Sequence, residues 1–268
     1  MTPRLRGFVI TAILALIAES KEHRARIFDN LRVIMYAGSP MNPALMREVL
    51  AVYKGDMVQS FGQTEDLPQL ILDAEAHRAA LTAGATALDS VGRPAIGVEI
   101  KICDGDGNPV PDGETGEIAS RGGTGMISYW NMPEATAETL RDGWVHSGDL
   151  GYVGPDGFVY LAGRRKQMII RGGENVYPAE VERVLLAYPG VRDAAVLGLP
   201  DPVWGEIVVA AVVAGPNTAD AAALIAFCKA RLASYRCPER IIFREALAYN
   251  AGGKVDRGQL RRDIEASE

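Results

Sequence analysis

"LRVIMYAGSPMNPALMREVLAVYKGDMVQSFG" occupies residues 31–62. Leu31–Gly38 is a short apolar run that ends on a glycine, which predicts a buried strand running into a turn. Asn42 followed by Pro43 marks a helix start, because proline already has a helical φ and its missing N–H would be unpaired there. That helix runs to about Tyr53, and Asp56–Gly62 reads as the next strand. Strand, helix and strand in this order predict part of a parallel α/β sheet.

Upstream, residues 7–28 predict a buried helix. Arg4 and Arg6 before the apolar run Phe8–Ala18 superficially match a secretion signal. The run instead continues into "ESKEHRARIF", with charges at helical spacing and no clean cleavage pattern. It is also shorter than the roughly 20 residues a membrane span needs. Downstream, from Ser90 to Leu161, short alternating strands such as "VEIKIC" and "GEIASR" are separated by "DGDGNP", "PDGETG" and "GPDG", which predicts antiparallel β structure. Beyond Gly163, "QMIIRGG", "VRDAAVLGLPD", "EIVVAAVVAG" and "RIIFRE" read as strands. "YPAEVERVLLAYPG" and "TADAAALIAFCKARLAS" read as helices among them. The expected fold class is α/β plus α+β. A large domain spans 1–163, α/β over 1–88 and β-rich over 89–163, and a small α+β domain spans 164–268, with the boundary at "AGRRKQ".

Composition narrows the function classes. The 268 residues are 48% hydrophobic and 23% charged, as expected of soluble globular protein. A net charge of -6 and a pI near 5.3 oppose nucleic acid or acidic lipid as the main partner. Cys103, Cys228 and Cys237 form no CxxC pair, which suits a reducing cytoplasm better than a disulfide framework. Only His23, His77 and His146 are present, which argues against a His-based zinc site.

Several stretches place glycine beside polar groups at strand ends, where ligands of α/β sheets bind. In "SFGQTED", Gly62 would let a ligand approach the backbone, Phe61 offers a flat face, Thr64 can bond a phosphate and Glu65 can hold a hard cation such as Mg²⁺. "GWVHSGDL" offers Asp149 after a glycine, suited to a sugar diol, and Arg164 offers a fork of donors for a sugar or phosphate. "NAGGK" is not a Walker loop, since the first glycine is misplaced and Val255 follows the lysine. Taken singly, each stretch reads first as a polar loop or a solvated charge.

Their order changes that. "YAGSPM", "SFGQTE", "ISYWNMPEAT", "GWVHSGDLG", "GRRKQMIIRGGENVYPAEVE" and "NAGGKVDRGQL" follow one another, from about Leu31 to Leu260, in a series that resembles the adenylate-forming superfamily. "GGENVYPAEVE" is most similar to the acyl- and aryl-CoA ligases. The resemblance implies that Gly38, Phe61, Gly62 and Gln63 border an adenine, with Phe61 in the usual tyrosine's place. It implies that Thr64 contacts phosphate, Glu65 holds Mg²⁺, and Asp149 binds the ribose hydroxyls with help from Arg164. Lys166 then stands at a hinge about which the C-terminal domain swings between adenylating and thioester-forming poses. Gly172, Gly173 and Glu174 would line a pantetheine tunnel, Trp204 and Tyr235 would lie near that second active conformation, and Lys254 would be the adenylation lysine.

The implied activity is ATP-dependent carboxylate–CoA ligation, with ATP, Mg²⁺, CoA and a small carboxylic acid. No nucleic acid and no membrane span are implied, and a homodimer is compatible with the pattern. Transfer to a carrier protein or an amine, or a non-catalytic nucleotide-binding role, are the alternative readings. The family also has a Ser/Thr/Gly-rich loop ending in lysine for the outer phosphates. No such stretch lies in these 268 residues, and Met1 aligns with the middle of the family's large domain, so the chain is expected to be incomplete for catalysis alone. Smaller departures are Ser147 for the usual Thr, Gly252 before "GK", "LAYN" for "LPRN", and Cys237.

Overall fold

The computed structural model describes residues 5–10, 20, 27–38, 43–82, 86–215, 220–250 and 254–266, which fall into two compact units, Met1–Leu161 and Ala162–Glu268. In the first unit, strands β1 (Leu5–Ile10), β2 (Leu31–Ala37) and β3 (Asp56–Gln63) pair in parallel. Helix α1 (Pro43–Val52) connects β2 to β3, as the opening stretch predicts. Met46, Val49, Leu50 and Tyr53 recur at i, i+3, i+4 and i+7, so one stripe of α1 and the residue after it closes over Ile34, Tyr36 and Met57 of the sheet.

The helix expected over residues 7–28 is corrected at its start. Leu5–Ile10 is a strand, and Phe8 is 61% exposed. The backbone of "GFVI" pairs along β2, and this pairing together with β-branched side chains outweighs the apolar run's helical reading. Residues 27–30 are helical, and most of the remainder of that expectation lies outside the described residues.

The polypeptide then turns antiparallel. β3 pairs with β4 (Asp66–Leu72), and helix α2 (Ala74–Thr82), which the sequence reading missed, leads toward β5 (Ser90–Pro94). The sheet continues in the order β5, β10 (Val159–Arg164), β9 (Trp144–Val153), β7 (Gly116–Gly122) and β6 (Val98–Cys103). The two-residue β8 (Leu140–Arg141) and the short α3 (Pro133–Thr139) precede β9. Leu70, Val91, Ile102, Ile118 and Val159 share one core although they come from separate strands, so this part of the sheet curls on itself.

The second unit is a five-stranded sheet ordered β12 (Glu174–Val176), β11 (Ile169–Arg171), β14 (Gly205–Ala214) and β13 (Val191–Asp201), with β15 (Arg240–Arg244) also on β14. Alternation along β14 decides its packing, since successive side chains point to opposite faces. Val208, Ala210 and Val212 face helices α4 (Pro178–Leu186) and α5 (Ala221–Lys229), while Val209 and Ala211 face α6 (Arg257–Glu265). Both faces are covered, which is why "IVVAAVVA" (207–214) is apolar without a break.

Candidate active site

Gly38 and the Thr64–Glu65 turn follow the carboxyl ends of the neighbouring parallel strands β2 and β3, the edge where α/β sheets place ligands. Phe61, Gly62 and Gln63 belong to β3, so the turn is shorter than the sequence suggests. Gly62 is needed by the hairpin itself: a Cβ there would come within 2.8 Å of the Asp66 carbonyl and 2.7 Å of Leu67. Phe61 is half-buried against the curled core. Thr64 is exposed and Glu65 half-buried.

The tip of this hairpin is tied down by residues the sequence reading did not single out. The Glu65 carbonyl accepts the Met126 N–H at 2.7 Å, and the Tyr129 hydroxyl donates to Glu65 Oε1 at 2.6 Å. Among the described residues no donor reaches Oε2 of Glu65. The next residue, Asp66, is fully buried and accepts hydroxyl hydrogen bonds from Ser120 and Thr124, each 2.6 Å long. Gln69 Nε2 donates to Ser120 Oγ at 2.8 Å and extends this brace. A carboxylate oriented by a phenol, with one oxygen open, fits a hard cation that keeps waters and phosphate oxygens as its other ligands. Tyr129 also lines a pocket of about 400 Å³ with Ser128, Asn131, Met132, Pro133 and Thr136.

Asp149 stands in a bulge. The β7–β9 register passes from Glu117↔Leu150 to Ala119↔His146, leaving Ser147, Gly148 and Asp149 opposite Ile118. Gly148 has φ +70°, a conformation that glycine adopts without strain. The Ser147 hydroxyl donates to the Ile118 carbonyl at 2.7 Å and accepts the Asp149 N–H at 3.1 Å, so the serine serves in place of threonine. The Gly148 N–H donates to Glu117 Oε1 at 3.0 Å. Glu117 Oε2 meets Arg141 Nη2 and His146 Nδ1, both at 3.0 Å. Burial, and next to it the Arg141 charge, hold the His146 imidazole below its ordinary pKa against the opposing pull of Glu117. Strand β7 therefore anchors both halves of the site, Ser120 holding the Glu65 hairpin and Glu117–Ile118 holding the Asp149 bulge.

In the second unit, Lys166 lies exposed in a short 3₁₀ turn, Arg165–Gln167, after Arg164, which is also exposed. Gly172 and Gly173 form the β11–β12 turn, and Glu174 pairs across it with Arg171. Gly172 has φ +58° and its N–H donates to the Trp204 carbonyl at 2.7 Å. Arg171 gathers this corner together: it lies 5.7 Å from the Trp204 ring centroid, donates to the Tyr235 carbonyl at 3.1 Å and pairs with Glu239. Trp204 and Tyr235 are thus brought to one place.

Lys254 is exposed, and among the described residues its ammonium has no partner. Its backbone is fixed on both sides. Its N–H donates to Asn250 Oδ1 at 3.1 Å, its carbonyl accepts from Asn250 N at 2.8 Å, and Tyr249 and Val255 form a bridge. Tyr249 bonds Asp193, Asp256 caps α6 through the Gln259 N–H at 2.9 Å, and Arg257 pairs with Glu182 at 2.6 Å.

The solved amide bond synthetase McbA from Marinactinospora thermotolerans superposes with TM-score 0.86 at 32% identity, over 97% of this chain and 52% of that one. Among curated proteins, a fatty acid–[acyl-carrier-protein] ligase, ScoC, of Streptomyces coeruleorubidus is 40% identical over 255 residues, 94% of this chain and 48% of its own length. A feruloyl-CoA synthase of Amycolatopsis is 40% identical over 257 residues, 95% of this chain and 51% of its own. The AMP-binding enzyme family matches residues 7–130, and the AMP-binding enzyme C-terminal domain family matches residues 180–254. The chain belongs to the AMP-binding enzyme family, the adenylate-forming ligases, and spans about half the length of the curated relatives it matches. No helix among its described residues is long and apolar enough to cross a membrane.

Proposed function

We propose that this chain carries the ribose-binding, metal-binding and lysine-bearing part of an ATP-dependent carboxylate–CoA ligase. A carboxylate oxygen attacks the α-phosphorus of ATP, and the bond to pyrophosphate breaks, giving an acyl-adenylate. The CoA sulfur then attacks the acyl carbon, the bond to AMP breaks, and the thiol proton is lost. Asp149 holds the ribose hydroxyls, Arg164 assists, Gly38 and Phe61–Gln63 border the adenine, and Thr64 bonds phosphate. Glu65 would hold Mg²⁺, which when bound neutralises phosphate oxygens. Residues 164–268 form a mobile domain with its hinge near Lys166, and Gly172, Gly173, Glu174 and Trp204 flank the pantetheine path.

The observation that carries this reading is the exposed Lys254 ammonium on a backbone strapped at both ends. Two anions meet in the adenylation step and charge builds on the phosphoryl oxygens, where one well-placed donor is worth about 3–4 kcal/mol. The rigid strap fixes where the lysine is delivered, and domain rotation decides when. The relatives named above are a carrier-protein ligase, a CoA synthase and an amide synthetase, and each product requires an activated carboxyl group. The acyl activation is therefore common, and the acceptor is the finer question. "GGENVYPAEVE" favours CoA, and the three free, buried cysteines suit a cytoplasmic setting. A chimera joining the first half of the feruloyl-CoA synthase to this chain, given carboxylate and ATP, should form a thioester with CoA. Product with carrier protein or amine, but none with CoA, would overturn the acceptor assignment.

A further inference from the structure

We propose that Glu117 is a positioning residue for Asp149: its buried carboxylate fixes the backbone bulge that carries Asp149. The proposal rests on the reading of Asp149 as the ribose-binding residue. Bulges re-aim side chains beside active sites and leave the extra residues without their ladder hydrogen bonds. Here Glu117 Oε1 accepts the Gly148 N–H at 3.0 Å, directly before Asp149. The Glu117 side chain is only 3% exposed, and such a carboxylate is expensive unless compensated. Arg141 Nη2, 3.0 Å from Oε2, supplies the compensating charge, with His146 alongside at 3.0 Å.

Cys103, Glu117 and His146 also place possible metal-ligating atoms within 4.8 Å of one another. The Arg141 guanidinium already stands against both Glu117 and His146 as the cation of that cluster, so the cluster is a clamp and not a metal centre. The backbone of Glu117 also opens the irregular segment of β7, and the Ser147 hydroxyl donates to the carbonyl of the following residue, Ile118. The clamp thus acts on the bulge from the strand beside it.

The test titrates AMP and 2′,3′-dideoxy-AMP into the 268-residue chain by NMR, for the wild type, Asp149→Asn and Glu117→Gln. The wild type should prefer AMP, and Asp149→Asn should remove that preference. Glu117→Gln should cut the preference by about tenfold, the effect of weakening one charged hydrogen bond, while leaving dideoxy-AMP affinity unchanged. An equal loss for both ligands, or an undiminished preference, would overturn the proposal. If Asp149→Asn changes nothing, or AMP does not bind, the ribose reading fails on its own account. Amide exchange then decides the positioning: Glu117→Gln should accelerate Gly148 and Asp149 exchange at least tenfold with the β13–β14 core unchanged, and unaltered exchange refutes it.

Discussion

Glu182 and Arg257 connect α4 to the first residue of α6, three residues after Lys254. Glu182 accepts from Arg257 Nη2 at 2.6 Å and from the Val196 N–H at 2.7 Å, with side-chain exposures of 21% for Arg257 and 15% for Glu182. Burial pushes the Glu182 carboxyl above its ordinary pKa even though the Arg257 charge pulls it down, so for this carboxylate desolvation outweighs the partner's attraction. Two consequences follow from that balance. Removing Glu182 alone strands a mostly buried guanidinium; fully buried pairs lose about 3–5 kcal/mol in this way, and the partial exposure of Arg257 brings Glu182→Leu to roughly 2–3 kcal/mol. Replacing both partners, Glu182→Leu with Arg257→Met, restores stability to within about 1 kcal/mol of the wild type. With a urea slope of about 1–3 kcal/mol/M, the single substitution lowers the midpoint by about 1 M or more and the double recovers most of it. Urea unfolding read by amide exchange in β13 and β14 measures this. A double variant as unstable as the single, or a single variant with an unmoved midpoint, refutes the reasoning. What the pair then contributes is the orientation of α6 and of the Lys254 strap.

Three other outcomes are expected. Tyr129→Phe frees Glu65 Oε1 from its phenol and should raise the Mg²⁺ concentration for half-maximal ATP–pyrophosphate exchange by the chimera roughly tenfold; an unchanged Mg²⁺ requirement removes Tyr129 from the site. His77 is buried with Nδ1 against the Asp73 carbonyl, so the neutral ring donates there and its Nε2 accepts from Tyr36; burial lowers its pKa, hence its stabilisation is complete above about pH 6.5 and is lost as pH falls through the depressed value. Urea midpoints of the first unit should therefore drop between pH 7 and pH 5, less so in His77→Gln, and a slope indifferent to that substitution contradicts the assignment. Gly172→Ala places a Cβ 2.9 Å from Trp204 at a left-handed φ, and should destabilise the second unit by about 1–2 kcal/mol and shift Trp204 emission; no change in either would show that the turn is not fixed.

Periodicity made the parallel βαβ core and the small C-terminal sheet readable, because α1 and β14 repeat apolar residues at the spacings their packing requires. It failed at Leu5–Ile10, where pairing with β2 and not local pattern decides the structure. The hairpin from β3 into β4 was also hidden, since "DLPQLIL" alternates poorly and is shaped by the irregular register opposite Gly62. Motif order exposed Glu65, Asp149 and Lys254, the residues proposed above to meet ligands. It did not expose Asp66, Glu117, Arg141, Tyr129 or Glu182, which work through partners distant in sequence: Asp66 and Thr124 are 58 residues apart, and Glu182 and Arg257 are 75 apart. The one local signal for Glu117 was a carboxylate set among small and apolar residues of "GEIASR", on a strand otherwise fit for burial.

The central claim is that Lys254 delivers charge to a nucleotide α-phosphate during carboxylate activation. Carboxylate-dependent ATP–pyrophosphate exchange by the folded chimera, with Lys254 and with Lys254→Ala, tests it most directly. The account predicts exchange that falls by at least about 100-fold in Lys254→Ala, the loss of one transition-state donor, with an unchanged urea midpoint. Exchange that is indifferent to Lys254→Ala would contradict it.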